Sequence, residues 1–238
     1  MVQDGQYNAK FEFVFGIEHP TQDAVAQALA TYMRTILSGD SLYDRAEALR
    51  KSRNAATLTV DIFRELLKWD DLTAASLRDS INSQTPPRED MPALLAAGHA
   101  LFHGKARCVE CHQGPIFSDQ DYHNIGIENP AEGKETGRSV HVPIGLKETR
   151  LVGGYRTPTL RNLGSTNPYF HDGSRATLRE VVEYFDFRVL PAPGRLAKAL
   201  QDGDHERRLS LSDDERLALV TFLRSLQGAP VDRMVAAP

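Results

Sequence analysis

Residues 107–115 read Arg107-Cys108-Val109-Glu110-Cys111-His112-Gln113-Gly114-Pro115. The Cys108-x-x-Cys111-His112 inside them is the spacing that attaches a c-type haem. Both cysteines of the 238-residue chain fall in this one motif. The chemistry explains the pattern. Two thiols three residues apart on one turn can each add to a vinyl group on the same porphyrin edge, and the following imidazole then lies under the ring to ligate iron. Three other readings compete. A thioredoxin-like redox pair needs a strand-to-helix context, whereas Leu94-Leu95-x-x-Gly98-x-x-Leu101-Phe102 upstream has helical spacing. A structural zinc site needs four ligands, which two cysteines, His112 and another histidine would have to supply. A pair of buried thiols with no ligand is the third.

Composition sets the outer limits. A hydrophobic share of 41% and a charged share of 25% are those of a globular chain long enough for one or two cored domains. A net charge of −4 offers no footprint for nucleic acid or an anionic membrane, and no apolar run reaches the length of a membrane-spanning helix. The opening Met1-Val2-Gln3-Asp4-Gly5-Gln6 is polar and lacks the apolar core of a signal peptide. Thioether attachment is ordinarily completed after export. A leader already removed, or a chain that is part of a longer one, is therefore expected.

Away from the motif the spacing predicts an all-α fold. Thr21 to Leu37 places Val25, Leu29, Tyr32, Met33 and Ile36 on one stripe, with Gly39 where a helix C-cap would fall. Leu58, Ile62 and Leu66 suggest a second helix, and Thr73 to Ile81 a third. Thr85-Pro86-Pro87 breaks the chain and sets the expected boundary between a helical segment, 1–88, and a second domain, 89–238. Pro92 to Phe102 reads as a helix with proline in its first turn. Residues 113–175 are rich in Gly, Asn, Pro and Asp and nearly aperiodic, which a large apolar cofactor acting as core can accommodate. Thr177-Leu178-Arg179-Glu180 and Ser212-Asp213-Asp214-Glu215 are capping boxes opening two last helices.

Several runs together resemble the bacterial di-haem cytochrome c peroxidase and MauG family. They are Gly98-x-x-Leu101-Phe102, the haem motif through Pro115, Phe117-Ser118-Asp119, His123-Asn124-Ile125-Gly126, Arg156-Thr157-Pro158-Thr159-Leu160-Arg161-Asn162, Asn167-Pro168-Tyr169-Phe170-His171-Asp172-Gly173-Ser174 and Ala176-Thr177-Leu178. Phe13-Val14-Phe15-Gly16, Ala26 to Leu37 and Ser41-Leu42-Tyr43-Asp44-Arg45 are similar to the end of the family's N-terminal domain. Residues of about 50–90 fall outside the resemblance and read as an atypical insertion. The resemblance implies a cytochrome c-like helical domain around a covalent haem, with long irregular loops and a helical N-terminal segment. It implies the electron-transfer portion of a periplasmic oxidoreductase that reduces hydrogen peroxide. Its partner would be an electron-donor protein such as a small cytochrome or cupredoxin, and a homodimer remains open.

The sequence also departs from that pattern. The family's second, peroxide-reacting haem is held by an N-terminal Cys-x-x-Cys-His that this chain does not contain, and Trp69, the one tryptophan, lies in the unmatched segment and reads as core. A self-contained mono-haem cytochrome, acting as carrier or small-ligand binder, is therefore the alternative. The family's second axial ligand, a methionine or a tyrosine, falls by alignment on Phe185, which cannot ligate iron. Phe185 also shares a helical stripe with Leu178 and Val182, and Tyr184 points about a hundred degrees away. A five-coordinate iron, a Tyr184 ligand reached by local distortion, and a histidine or water from elsewhere all stay open. The reading favours an open site.

The resemblance further assigns His171 beside the haem pocket and the backbone carbonyls of Thr166 and Pro168 to a calcium ion. Arg138, Arg156 and Arg161 are candidates for the haem propionates, since carboxylates at the edge of an apolar cofactor need charged partners.

Overall fold

The computed structural model describes residues 5–35, 38–69, 90–127, 137–143, 145, 151–187, 201–202, 205–206 and 209–230. The chain is all-α. The described residues hold seven α-helices and three two-stranded antiparallel ladders of two residues per strand. They fall into two compact units, residues 1–39 with 229–238 and residues 40–228. The expected boundary at Thr85-Pro86-Pro87, the expected helix Thr73 to Ile81 and the side chain of Trp69 lie outside the described residues.

The first unit contains α1 (Gly5–Phe15), α2 (Gln22–Thr35), and β1 (Ser38–Gly39) paired with β6 (Ala229–Pro230). Thr21 caps α2 by accepting from the Ala24 N–H at 3.2 Å. The stripe expected to be buried is not. Val25, Leu29, Tyr32 and Met33 are 37%, 57%, 64% and 66% exposed, because helical periodicity marks an apolar face without supplying the surface that covers it. Gly39, expected as a helix cap, instead pairs with Ala229 in the β1–β6 ladder.

In the second unit, α3 (Leu42–Ser52), α4 (Val60–Trp69) and α5 (Met91–His103) share a core of Leu42, Ala46, Leu58, Ile62, Phe63, Leu67, Met91 and Leu95. Ser41 and Asp44 open α3 with a reciprocal capping box, and Pro92 stands in the first turn of α5. A second core joins α5 to α6 (Leu178–Phe187) and α7 (Asp213–Arg224) through Phe102, Phe117, Leu178, Val182, Leu219, Phe222 and Leu226. Burying each of these large side chains contributes roughly 1.5–3 kcal/mol. Both predicted capping boxes form. Glu180 accepts from the Thr177 N–H and Thr177 Oγ1 from the Glu180 N–H, each at 3.2 Å, and Ser212 and Glu215 do the same for α7.

Gly98 lets α5 and α7 touch. A Cβ there would lie 2.7 Å from both the Ala218 carbonyl carbon and Phe222 Cβ, so only glycine permits the crossing. Tyr43 bridges the two cores, its ring edge-on to Phe117 (5.1 Å) and Phe222 (5.8 Å).

Between α5 and α6 the chain is irregular, as expected of this loop-rich stretch. Its described residues hold short 3-10 turns at Cys108–Glu110, Gly137–His141 and Leu163–Ser165, and one ladder of β2 (Tyr122–His123) with β3 (Tyr155–Arg156). The third ladder pairs β4 (Gln201–Asp202) with β5 (His205–Glu206). Among the described residues the result is a helical arrangement in which α5 and α7 cross and the cysteine motif follows α5 directly, with an irregular stretch after it.

Candidate functional site

The motif is built on one turn directly after α5. Arg107, in left-handed backbone at φ +52°, turns the chain, and the N–H groups of Cys111 and His112 both return to the Cys108 carbonyl, at 3.3 and 2.9 Å. Cys108, Cys111 and His112 are therefore on a single turn, each half-buried. Burial pushes the Cys108 thiol up to about 12. Burial, with the charges of Asp119, Glu110 and Asp121, pushes Cys111 to about 11. Both sulfurs stay protonated near neutrality. A thioredoxin-like pair needs the opposite, a depressed thiol, and that reading is disfavoured.

His112 is oriented by its neighbour in the loop. Its Nδ1 lies 2.9 Å from the Phe117 carbonyl. A carbonyl can only accept, so Nδ1 carries the proton and Nε2 keeps its lone pair. Burial lowers the imidazole's pKa further than its hydrogen bonds raise it, and the ring is neutral at pH 7. Phe117 presents that carbonyl from left-handed backbone at φ +52°, a conformation costing about 1–3 kcal/mol. The Phe117 ring, 3% exposed between Tyr43 and Phe102, holds it there.

The loop after the motif is strapped to the segment carrying Arg156 to Arg161. Ser118 Oγ donates to the Thr157 carbonyl (2.7 Å), Thr159 Oγ1 to Ile116 (2.6 Å) and Arg161 Nε to Pro115 (2.7 Å). The other two Arg161 nitrogens close on Asp44. A cleft of about 480 Å³, within the range of ligand sites, opens beside the motif between Tyr43, Glu47, His103, Val109, His112 and Arg161.

The remaining candidates are spread around the motif. Arg156 is exposed and gives one nitrogen to Gln120 Oε1 at 2.5 Å. The Arg138 guanidinium stacks over Tyr122 at 5.0 Å. His171 is exposed and lies flat on Tyr155, ring centroids 3.8 Å apart. Thr166 and Pro168 are exposed, Thr166 Oγ1 donating to the Leu163 carbonyl at 3.4 Å. Tyr184 and Phe185 join Phe170 in an aromatic cluster, and the Tyr184 hydroxyl donates to the Ile125 carbonyl at 2.8 Å. The α6 face that enters the core is Leu178, Val182 and Asp186, with Phe185 half-buried at its edge.

Three groupings were not foreseen in the sequence. Asp186 is buried and pairs with Arg216 at 2.8 Å. His123 Nε2 meets Asp119 at 2.7 Å, and with Cys111 they bring three metal-binding atoms within 4.8 Å of one another. His99 and His103 lie against each other on α5, their rings tilted by 53°. Zinc at the Cys111–Asp119–His123 group would have to compete with thioether formation at Cys111.

Residues 1–54 match the sequence model of the di-haem cytochrome c peroxidases. The cytochrome-c peroxidase IdrP1 of Denitromonas iodatirespirans is 29% identical across 93% of this chain and 54% of its own length. The methylamine utilization protein MauG of Methylophilus methylotrophus is 27% identical across 93% of this chain and 52% of its own. The chain is similar to the di-haem cytochrome c peroxidases and MauG proteins over most of its own length. It spans about half the length of these curated relatives. The solved di-haem peroxidase BthA of Burkholderia thailandensis E264 is 21% identical with a TM-score of 0.46, over 66% of this chain and 46% of that one. Family members use haem, and the donor set here fits one. Two neutral sulfurs and an imidazole Nε2 are presented on one turn, with the imidazole's other nitrogen anchored to backbone.

Proposed function

We propose that this chain holds one haem c through Cys108 and Cys111, with His112 on the iron, as the electron-transfer portion of a periplasmic di-haem peroxidase. The observation that carries the reading is the His112 to Phe117 hydrogen bond, which puts the proton on Nδ1 and the lone pair on Nε2. When bound, haem supplies a one-electron Fe(III)/Fe(II) couple tuned by its axial ligands and surroundings. The chain's own part is to fix that environment. The Phe117 carbonyl aims the imidazole, and the core of Phe102, Phe117, Leu178 and Val182 keeps water from the back of the motif. Arg161 has committed Nε and both terminal nitrogens, so Arg156, with donors to spare, is assigned to a propionate. His171, stacked on Tyr155, shields the β2–β3 side. Calcium is assigned to the exposed turn carrying the Thr166 and Pro168 carbonyls.

Hydrogen peroxide as oxidant and an electron-donor protein as reductant follow from the peroxidase names of the relatives. The apolar stripe left open on α2 supports a further surface packing there, either another part of a longer protein or a second copy. The second reading, a self-contained mono-haem cytochrome that binds a small ligand, draws on one observation. The Tyr184 hydroxyl is spent on Ile125 and Phe185 offers no ligating atom.

Haem staining on denaturing gels after expression with a haem c maturation system tests the core of the proposal. Covalent haem in the chain and its loss in Cys108→Ser/Cys111→Ser are expected; unstained chain sinks both readings. Peroxide turnover by the isolated chain at the rate of a di-haem enzyme would overturn the electron-transfer role.

A further inference from the structure

We infer that His99 and His103 form a chelating site for a divalent transition-metal ion of the copper–zinc group at the C-terminal end of α5. The two histidines are four residues apart, which places both imidazoles on one helical face. Their ring centroids are 4.6 Å apart at an interplanar angle of 53°. With metal–nitrogen bonds of about 2.1 Å, two imidazoles sharing one ion bring their centroids to roughly 4.5–5.5 Å. The pair already stands at that separation.

The second observation concerns an orphan atom. His99 Nδ1 is buried and has no hydrogen-bond partner among the described residues. A buried polar atom without a partner costs about 1–3 kcal/mol, and a shared ion, directly on Nδ1 or through the tautomer it fixes, recovers part of that. The His99 ring is held edge-on to Phe222 at 5.5 Å and tilted against Tyr43 at 6.4 Å, so little rotamer freedom remains to be lost on binding.

The surroundings suit a dication. His103 is the last residue of α5, where the exposed carbonyls of the final turn carry the negative end of the helix dipole. His103 and Glu47 both line the cleft beside the haem motif, which gives an ion an aqueous entry and room for water ligands. The Glu47 carboxylate attracts positive charge at both imidazoles, while the charge of Arg50, paired with Glu47 at 2.9 Å, opposes it at His99. Burial holds both histidines below the usual imidazole pKa, His99 at about 4, so neither carries a proton that an ion must displace at pH 7. Neutral imidazole donors select copper, nickel or zinc over calcium or magnesium. The two histidines are not among the residues assigned to haem, although His103 and His112 line the same cleft.

The test is titration with Cu(II) of the purified chain whose cysteines are closed, as thioethers in the haem-matured form or by alkylation otherwise. Calorimetry gives the stoichiometry, and pulsed EPR of the bound Cu(II) counts imidazole nitrogens. One ion per chain with two imidazoles is expected. His103→Ala, at an exposed position that leaves the core intact, should weaken binding about a hundredfold through loss of chelation. His123→Ala, which dismantles the one group of three converging metal-binding side chains among the described residues, should leave it unchanged. Binding unaffected by His103→Ala, or lost only with His123→Ala, overturns the assignment.

Discussion

Arg161 holds Asp44 with both terminal guanidinium nitrogens, at 2.9 and 2.8 Å, while the same carboxylate accepts from the Ser41 N–H that opens α3. One side chain thus caps a helix and anchors the loop that follows the haem motif, since Arg161 also donates to Pro115. Burial alone would raise the Asp44 pKa, but the hydrogen bonds from Arg161 and Ser41 outweigh it and hold the carboxyl below the usual range.

The sign of the pH dependence follows. A carboxyl with a depressed folded pKa contributes stability that is fully present well above its unfolded value of about 3.9 and is lost as pH falls through the folded value. Asp44 and Arg161 are only partly shielded, so Arg161→Ala should cost about 1–2 kcal/mol at pH 7 rather than the full value of a buried pair. Urea unfolding at pH 7 and at pH 3 measures both terms. The variant's deficit should shrink at the lower pH, and an equal deficit at both would show that the pair contributes nothing through charge.

Gly98→Ala separates helix propensity from packing. In an exposed helix the change would gain about 1 kcal/mol. Here the new methyl meets Ala218 backbone, which cannot rotate away, and overpacking of this kind costs about 1–3 kcal/mol or more. Net destabilisation with a melting temperature lowered by about 3–10 °C is expected by scanning calorimetry. An unchanged or raised melting temperature would mean that α5 and α7 do not cross at Gly98.

How much of this could be read without coordinates depended on sequence separation. The haem turn and the two capping boxes are set by residues three or four apart, and Thr177–Glu180 and Ser212–Glu215 form as their spacing predicts. Asp44 and Arg161 are 117 residues apart, and no local pattern connects them. Asp186 sits two turns beyond Leu178 on the buried face of α6, but a charge there gains meaning only from Arg216 on α7. Phe117 reads as an ordinary core aromatic, although its left-handed backbone and carbonyl are what orient His112. The α2 stripe shows the converse, a clear apolar pattern with nothing among the described residues covering it.

Asp186→Ala tests the buried pair directly. Its side chain is 1% exposed, accepts from Arg216 Nε at 2.8 Å and from the Leu211 N–H at 3.0 Å. Removing it takes the buried partner from a guanidinium that is itself 12% exposed, leaves it Asp213 alone, and frees a buried N–H. A loss of about 3–5 kcal/mol is expected from denaturant unfolding, well beyond that of Arg161→Ala. Arg216 also pairs with Asp213, so Arg216→Ala removes the anchor of α6 to the start of α7. A loss below 1 kcal/mol for Asp186→Ala would show that the pair is solvated in solution.

Whether the iron of a bound haem would gain a sixth ligand from α6 turns on Tyr184 and Phe185. If the Tyr184 hydroxyl stays on the Ile125 carbonyl, Tyr184→Phe removes one hydrogen bond, costs about 0.5–1.5 kcal/mol, and leaves the haem spectrum untouched. The haem-loaded chain should then be ferric high-spin and bind carbon monoxide rapidly once reduced. Phe185→Met places a flexible thioether where the aromatic cluster now ends, and thioether ligation raises the potential and closes the site. Conversion of that variant to low-spin, with slowed carbon monoxide binding, is expected by EPR and optical spectroscopy. A wild-type chain already low-spin, turning high-spin in Tyr184→Phe, would instead make Tyr184 the ligand and require α6 to rotate away from Ile125.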